Sequence, residues 1–125
     1  MKAQYAASEE RIKELETMIN PDRDKLLERE AWKYFSRGVT FSLEGDSENA
    51  IKEYEQAVEL KPDMHEAWNN WGTDLGKLAI VEDGDASDIL FQKAFSNFER
   101  AININPKMDI AYNNWGNFLG NSALS

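Results

Sequence analysis

No cysteine occurs in the 125-residue chain, which excludes disulfides, thiolate metal sites and cysteine nucleophiles. Histidine is almost as scarce: His65 stands alone, in the turn after Pro62. General acid–base chemistry needs a positioned partner in a dry pocket, and a lone turn histidine reads as a solvated residue. Serines are scattered without a nucleophile elbow, and no glycine-rich phosphate loop occurs, so neither catalysis nor a cofactor is expected. Positive charge is also in deficit, with 14 Lys and Arg against 23 Asp and Glu and a net charge of -9. An acidic surface repels phosphate backbones, which argues against nucleic acid as a partner. It suits a basic or neutral protein partner, or solubility alone. The N-terminus has no signal-peptide-like apolar run, and no stretch approaches membrane-spanning length. No membrane partner is expected, and the cytoplasm is the default location.

What is present is a chain 42% hydrophobic and 30% charged, the composition of a soluble globular domain and not of a disordered tail. It repeats itself. Ala67-Trp68-Asn69-Asn70-Trp71-Gly72 and Ala111-Tyr112-Asn113-Asn114-Trp115-Gly116 lie 44 residues apart. Ala94, Phe98 and Ala101 answer to Ala50, Tyr54 and Ala57, and Pro106 to Pro62. Trp68, Gly72 and Leu75 fall at i, i+4 and i+7, one stripe of a helix. Ala50, Tyr54 and Ala57 form the same pattern on a second helix. Small residues alternating with large rings suit close helix–helix contact, each ring filling the hollow beside a Gly or Ala. Pro62 and Pro106 end the second helix of each pair and pre-set the next turn.

This pattern resembles the tetratricopeptide repeat. The first copy reads Tyr34, Gly38, Phe41, then Ala50, Tyr54, Ala57, Pro62; the second Trp68, Gly72, Leu75, then Ala94, Phe98, Ala101, Pro106; the third Tyr112, Gly116, Leu119. Arg37 departs from the pattern where Trp71 and Trp115 stand in the other copies. The resemblance implies an all-α fold, a right-handed superhelix of antiparallel helix pairs, with about two and a half repeats plus an N-terminal helix. It implies a protein–protein interaction scaffold and not an enzyme.

The expected organisation is an N-terminal helix over 1–20, a first repeat over 21–64 with an extended first helix, a second over 65–108, and the first helix of an incomplete third repeat or cap over 109–125. The step from Gly38 to Gly72 is 34 residues, the usual repeat length; from Gly72 to Gly116 it is 44. The ten extra residues fall in the turn inside the second pair. They predict two helices each lengthened by about a turn around an acidic loop, Glu82 to Asp88, with Asp85, Ser87 or Asp88 capping the second helix. As a calcium loop this segment fails: from Asp83, with Asp85 and Ser87 as ligands, Asp88 stands at the glycine site and Ala94 at the final glutamate site. At the start, Ile12, Leu15 and Ile19 share one side of a helix and Asn20-Pro21 follow as a cap and first turn. At the end, Trp115, Phe118 and Leu119 are less polar than a solenoid cap, which predicts either a longer array or cover from another copy.

The family's groove is lined by the first helices. At 100° per residue, the face away from the core stripe carries Trp32, Phe35, Ser36, Val39 and Leu43 in the first pair; Glu66, Asn69, Asn70, Thr73 and Lys77 in the second; and Ile110, Asn113, Asn114, Asn117 and Asn121 in the third. Asparagine both donates and accepts, so it can grip a peptide backbone without reading side chains. Asn70 and Asn114 match the asparagine ladder of the O-linked N-acetylglucosamine transferase repeats, and Ser36 breaks it; solvated helix residues are the alternative. The apolar set Trp32, Phe35, Val39 and Leu43 should not all face water. The N-terminal helix could cover it through Ile12, Leu15 and Ile19, a partner's anchor side chain could enter it, or it could self-associate. The carboxylate clamp that holds heat-shock chaperone tails is not expected. Its five positions hold Phe35, Val39, Asn70, Ile110 and Asn114, and only Asn70 matches. The expected partner is another protein, as an extended peptide or a helix in the groove; self-assembly into a homo-oligomer is the alternative.

Overall fold

The computed structural model describes residues 2–19 and 22–122. Among these, the chain is helical throughout, in the order α1 (Lys2–Ile19), α2 (Arg23–Leu43), α3 (Ser47–Leu60), α4 (His65–Val81), α5 (Gly84–Ile104) and α6 (Asp109–Asn121). Asn20-Pro21 and the side chain of Ile19 fall outside the described residues, as do residues 123–125 of the C-terminal segment. Helices α2 and α3 pair, α4 and α5 pair, and each pair stacks on the next. This is a helical repeat solenoid.

The stripes read from the sequence are the packing surfaces. A Cβ added to Gly38 would lie 2.7 Å from Cδ1 of Tyr54, and one on Gly72 would lie 2.8 Å from Cε1 of Phe98. The rings of α3 and α5 therefore sit where α2 and α4 carry no side chain. Tyr54 and Phe98 are 1% and 0% exposed, and the flanking Ala50, Ala57, Ala94 and Ala101 are fully buried. Burying a ring of this size contributes roughly 1.5–3 kcal/mol.

The proline turns match in detail. The Lys61 N–H donates to Ala57 O and the Asn105 N–H to Ala101 O, both at 2.9 Å; Met64 N–H to Lys61 O and Met108 N–H to Asn105 O are both 3.1 Å. Trp68 Nε1 closes the first turn by donating to Pro62 O at 2.8 Å, with the Arg100 guanidinium 4.7 Å over its ring. At the departure from the pattern, Arg37 lies 5.6 Å from the Tyr34 ring centroid. The turn from α2 to α3 uses Gly45 at φ 81°, a left-handed conformation that suits glycine. Asp46 then caps α3, its Oδ1 accepting from Asn49 N at 3.2 Å.

The inserted residues are spent on helix and not on an acidic loop. Helix α4 runs four residues further past Gly72 than α2 does past Gly38. Helix α5 starts seven residues earlier relative to Ala94 than α3 does relative to Ala50, and the link shrinks to Glu82 and Asp83. Asp85, Ser87 and Asp88 are thus helical, and none is the N-cap: Asp83 holds that position without a side-chain cap bond. Ser87 Oγ instead donates to Ala79 O at 2.8 Å, tying the first turn of α5 to the last of α4.

Two further expectations are corrected. Helix α1 does not pack over the apolar face of α2: it forms no substantial contact with another described helix, and Ile12 and Leu15 are 53% and 40% exposed. Its stripe is too short and too interrupted by charge to gain much from docking. His65 is not a solvated turn residue. It opens α4 half-buried, with Nδ1 3.3 Å from Met108 Sδ and Nε2 3.4 Å from Asn105 Nδ2, so it bridges equivalent turns of neighbouring pairs.

Candidate functional site: the face of α2, α4 and α6

Helices α2, α4 and α6 place the predicted groove residues on successive rungs, with different degrees of freedom. On α2, Trp32 and Phe35 are half-buried and held edge to face, centroids 5.2 Å apart at 85°, and both pack against the core. Phe35 also lies 6.0 Å from the Tyr54 ring. The apolar face of α2 is thus largely covered by its own neighbours. Val39 remains half-buried, Ser36 is exposed, and Leu43 is 84% exposed.

On α4, Glu66, Asn70 and Thr73 are half-buried and Lys77 is exposed, but Asn69 is buried. Asn69 sits 60° round the helix from Gly72, which turns it toward α6. Its Oδ1 accepts from Asn114 Nδ2 at 3.2 Å, and its own Nδ2 donates to Asn70 Oδ1 at 3.1 Å. Asn114 Nδ2 also donates to Thr73 Oγ1 at 3.2 Å, and Thr73 Oγ1 donates to Asn69 O at 3.1 Å. The asparagines therefore grip one another across the α4–α6 contact, and Asn69 and Asn114 are not free rungs. On α6, Ile110, Asn113, Asn117 and Asn121 are exposed, with Asn121 Nδ2 donating to Asn117 O at 2.9 Å.

Between α2 and α4 the face deepens into a cavity of about 190 Å³, bordered by Val39, Leu43, Tyr54, Asn70, Thr73 and Asp74. Asp74 is 1% exposed. Its Oδ1 accepts from Ser47 Oγ at 2.7 Å and Ser42 Oγ at 3.1 Å, with Lys77 Nζ 3.9 Å away. Oδ2 has no partner in the protein. Burial pushes the Asp74 carboxyl above the usual range against the pull of Ser47, Ser42 and Lys77. Burial, then the Asp74 charge, push the Tyr54 phenol up to about 12, opposed by hydrogen bonds with Asn70 and Ser42. The phenol is protonated at neutral pH.

The pattern reading missed this cluster because it credited α4 with one buried stripe. Asp74 lies seven residues from Ala67, which is 0% exposed, and so shares a second buried face turned toward α2 and α3. A charged residue in phase with a core alanine was the available signal. Among the described residues, no three His, Cys, Asp or Glu side chains gather as a metal site, and no helix is long and apolar enough to cross a membrane.

Comparison with known proteins agrees with this geometry. Residues 34–64, from the aromatic of α2 to the turn after Pro62, match the family model described as Tetratricopeptide repeat. No curated protein matches the chain. Residues 34–64 are thus a tetratricopeptide repeat, a helix pair of a kind that generally mediates protein–protein interaction.

Proposed function

We propose that this chain is a non-catalytic scaffold that holds a segment of a partner protein, as an extended peptide or a helix, along the face of α2, α4 and α6. The observation that carries this reading is the cavity between α2 and α4. It combines an apolar border, Val39 and Leu43, with hydrogen-bonding groups from Tyr54, Asn70 and Thr73, so one side chain and its backbone could be held together. Glu66, Lys77, Asn113 and Asn117 continue the same face with donors and acceptors of both kinds. Trp32, Phe35, Asn69 and Asn114 hold the rungs in place, and Ile110, 56% exposed, offers an apolar contact at the far edge. Cytoplasmic operation fits the absence of cysteine.

The test is selection of displayed random peptides on the full chain, followed by calorimetry. Selected peptides should bind at roughly micromolar Kd, since a short groove offers little area. Binding should weaken at least about tenfold in Leu43→Asp and in the double variant Asn113→Ala/Asn117→Ala, whose positions are exposed and whose folding should be unaffected. Peptides that bind all variants equally would reject the groove.

A second reading, self-assembly, is favoured by one observation. A Cβ on Gly116 or Gly120 would meet nothing within 4 Å, whereas the matching Gly38 and Gly72 are covered by rings; Tyr112 on the same helix is 50% exposed. Ile12 and Met18 of α1, 53% and 72% exposed, offer another contact. Light scattering across a concentration series decides: constant monomer mass removes this reading, and mass rising with concentration and reverting in Tyr112→Asp supports it at α6.

A further inference from the structure

On the side formed by α3 and α5, away from the α2–α4–α6 face, a larger cavity of about 380 Å³ opens. It is bordered by Ile51 and Glu55 of α3, Trp71 of α4, and Lys93 and Asn97 of α5. The repeat explains why it is there. The 44-residue step that carries Trp71 onto Trp115 carries Ile51 onto Phe95. In the later copy the Phe95 ring stacks on Trp115, centroids 6.3 Å apart and planes 26° apart. In the earlier copy an aliphatic side chain takes the place of that ring, and Trp71 borders open space.

The polar groups give the chemistry. Asn97 is 7% exposed, yet its Nδ2 has no hydrogen-bond partner in the protein, and neither has Trp71 Nε1. Buried N–H groups without acceptors are uncommon and costly, so the cavity is short of an acceptor. Trp115 Nε1 is unpaired as well, but there a ring already covers the indole. Lys93 and Glu55 are exposed at the border, and among the described residues neither forms an ion pair. The opposite charges cancel, and the chain's charge of -9 disfavours an anion, so a neutral acceptor fits better than a carboxylate.

We propose that this cavity is a second protein-docking site, which takes a phenylalanine-type side chain of a partner with its ring against Trp71 and a main-chain carbonyl accepting from Asn97 Nδ2. The ring stands where Phe95 stands in the next repeat, and the carbonyl supplies the missing acceptor. The site is independent of the groove reading, because none of its residues lies on that face.

The probe is N-acetyl-L-phenylalanine methylamide, titrated into the ¹⁵N-labelled full chain and followed through the Trp71 indole and Asn97 side-chain amide signals. A saturable shift of both signals is expected, with Kd on the order of millimolar for so small a ligand. N-acetyl-L-leucine methylamide should bind at least about fivefold more weakly, and phenylacetate no better than leucine. Ile51→Phe should abolish the shift, because its ring would occupy the place that Phe95 fills beside Trp115. Asn97→Leu should weaken binding about tenfold, the loss of one hydrogen bond, and serves if Ile51→Phe does not fold. No saturable shift, an equal response to the leucine probe, tighter binding of phenylacetate, or unchanged affinity in either folded variant would overturn the proposal.

Discussion

The ring of Phe118 lies directly against Gly76: a Cβ at that glycine would come within 2.6 Å of the ring. Phe118 also stacks on Phe98, centroids 6.1 Å apart at 12°, and meets Phe91 at 6.4 Å. Phe91, which is 2% exposed, stands in the register of Ser47 at the start of α3, so α6 sits on residues common to both helix pairs and not on the added turns.

Gly76→Ala is expected to destabilise the fold by about 1–2 kcal/mol, the overpacking cost less the helix propensity gained. Gly116→Ala, with nothing within 4 Å, should stabilise by about 0.5–1 kcal/mol. Urea denaturation of the two variants checks the opposite signs, and equal signs would contradict the packing described.

The Asn69–Asn114 bond couples α4 to α6. Each single change to Ala should cost about 1 kcal/mol, and the double variant less than their sum by about 0.5–1 kcal/mol. Strict additivity in a double-mutant cycle would mean that the bond does not form in solution. Since Asn114 supports the fold, weaker peptide binding on its removal would not by itself identify it as a contact.

Asp74 gives stability a pH dependence of known sign. Its carboxyl is raised in the folded state, chiefly by burial, so the native chain holds that proton more tightly than the unfolded chain. The stability it contributes is present below the unfolded value, about 3.9, and is lost as pH rises through the folded value. Asp74→Asn removes the titration and keeps an oxygen for Ser42 and Ser47. The stability of the wild type relative to Asp74→Asn should therefore fall as pH rises above about 4. A difference constant from pH 3 to 7 would refute the shift. Asp74→Ala should cost about 2–3 kcal/mol at neutral pH, by stranding the buried Ser47 and half-buried Ser42 hydroxyl donors.

Helix α1 adds little to the fold. The exposed pair of Glu16 and Arg23 at 2.6 Å ties it to α2, a bond of a kind worth at most about 1 kcal/mol. Deleting residues 1–20 should lower Tm by less than about 3 °C. A larger drop would show that α1 packs on the repeats in solution.

The sequence by itself determined the repeat, its helical phase and its register. Gly38 against Tyr54 and Gly72 against Phe98 were legible because a small residue and a ring recurring at fixed offsets describe a contact between neighbouring helices. The proline turns were legible because proline constrains the backbone locally. Tertiary structure decided what two helices must agree on. Asn69 and Asn70 are adjacent and identical in kind, yet a 100° turn sends the first into the α6 contact and leaves the second beside the cavity. Asp74 became a buried acceptor only when the α2–α3 turn brought Ser42 and Ser47 to it. Ile51 and Phe95 hold the same register, but only packed helices show that one leaves a cavity and the other fills it. Periodicity specifies which face a residue occupies; what meets that face depends on volumes and hydrogen-bond partners contributed from elsewhere in the chain.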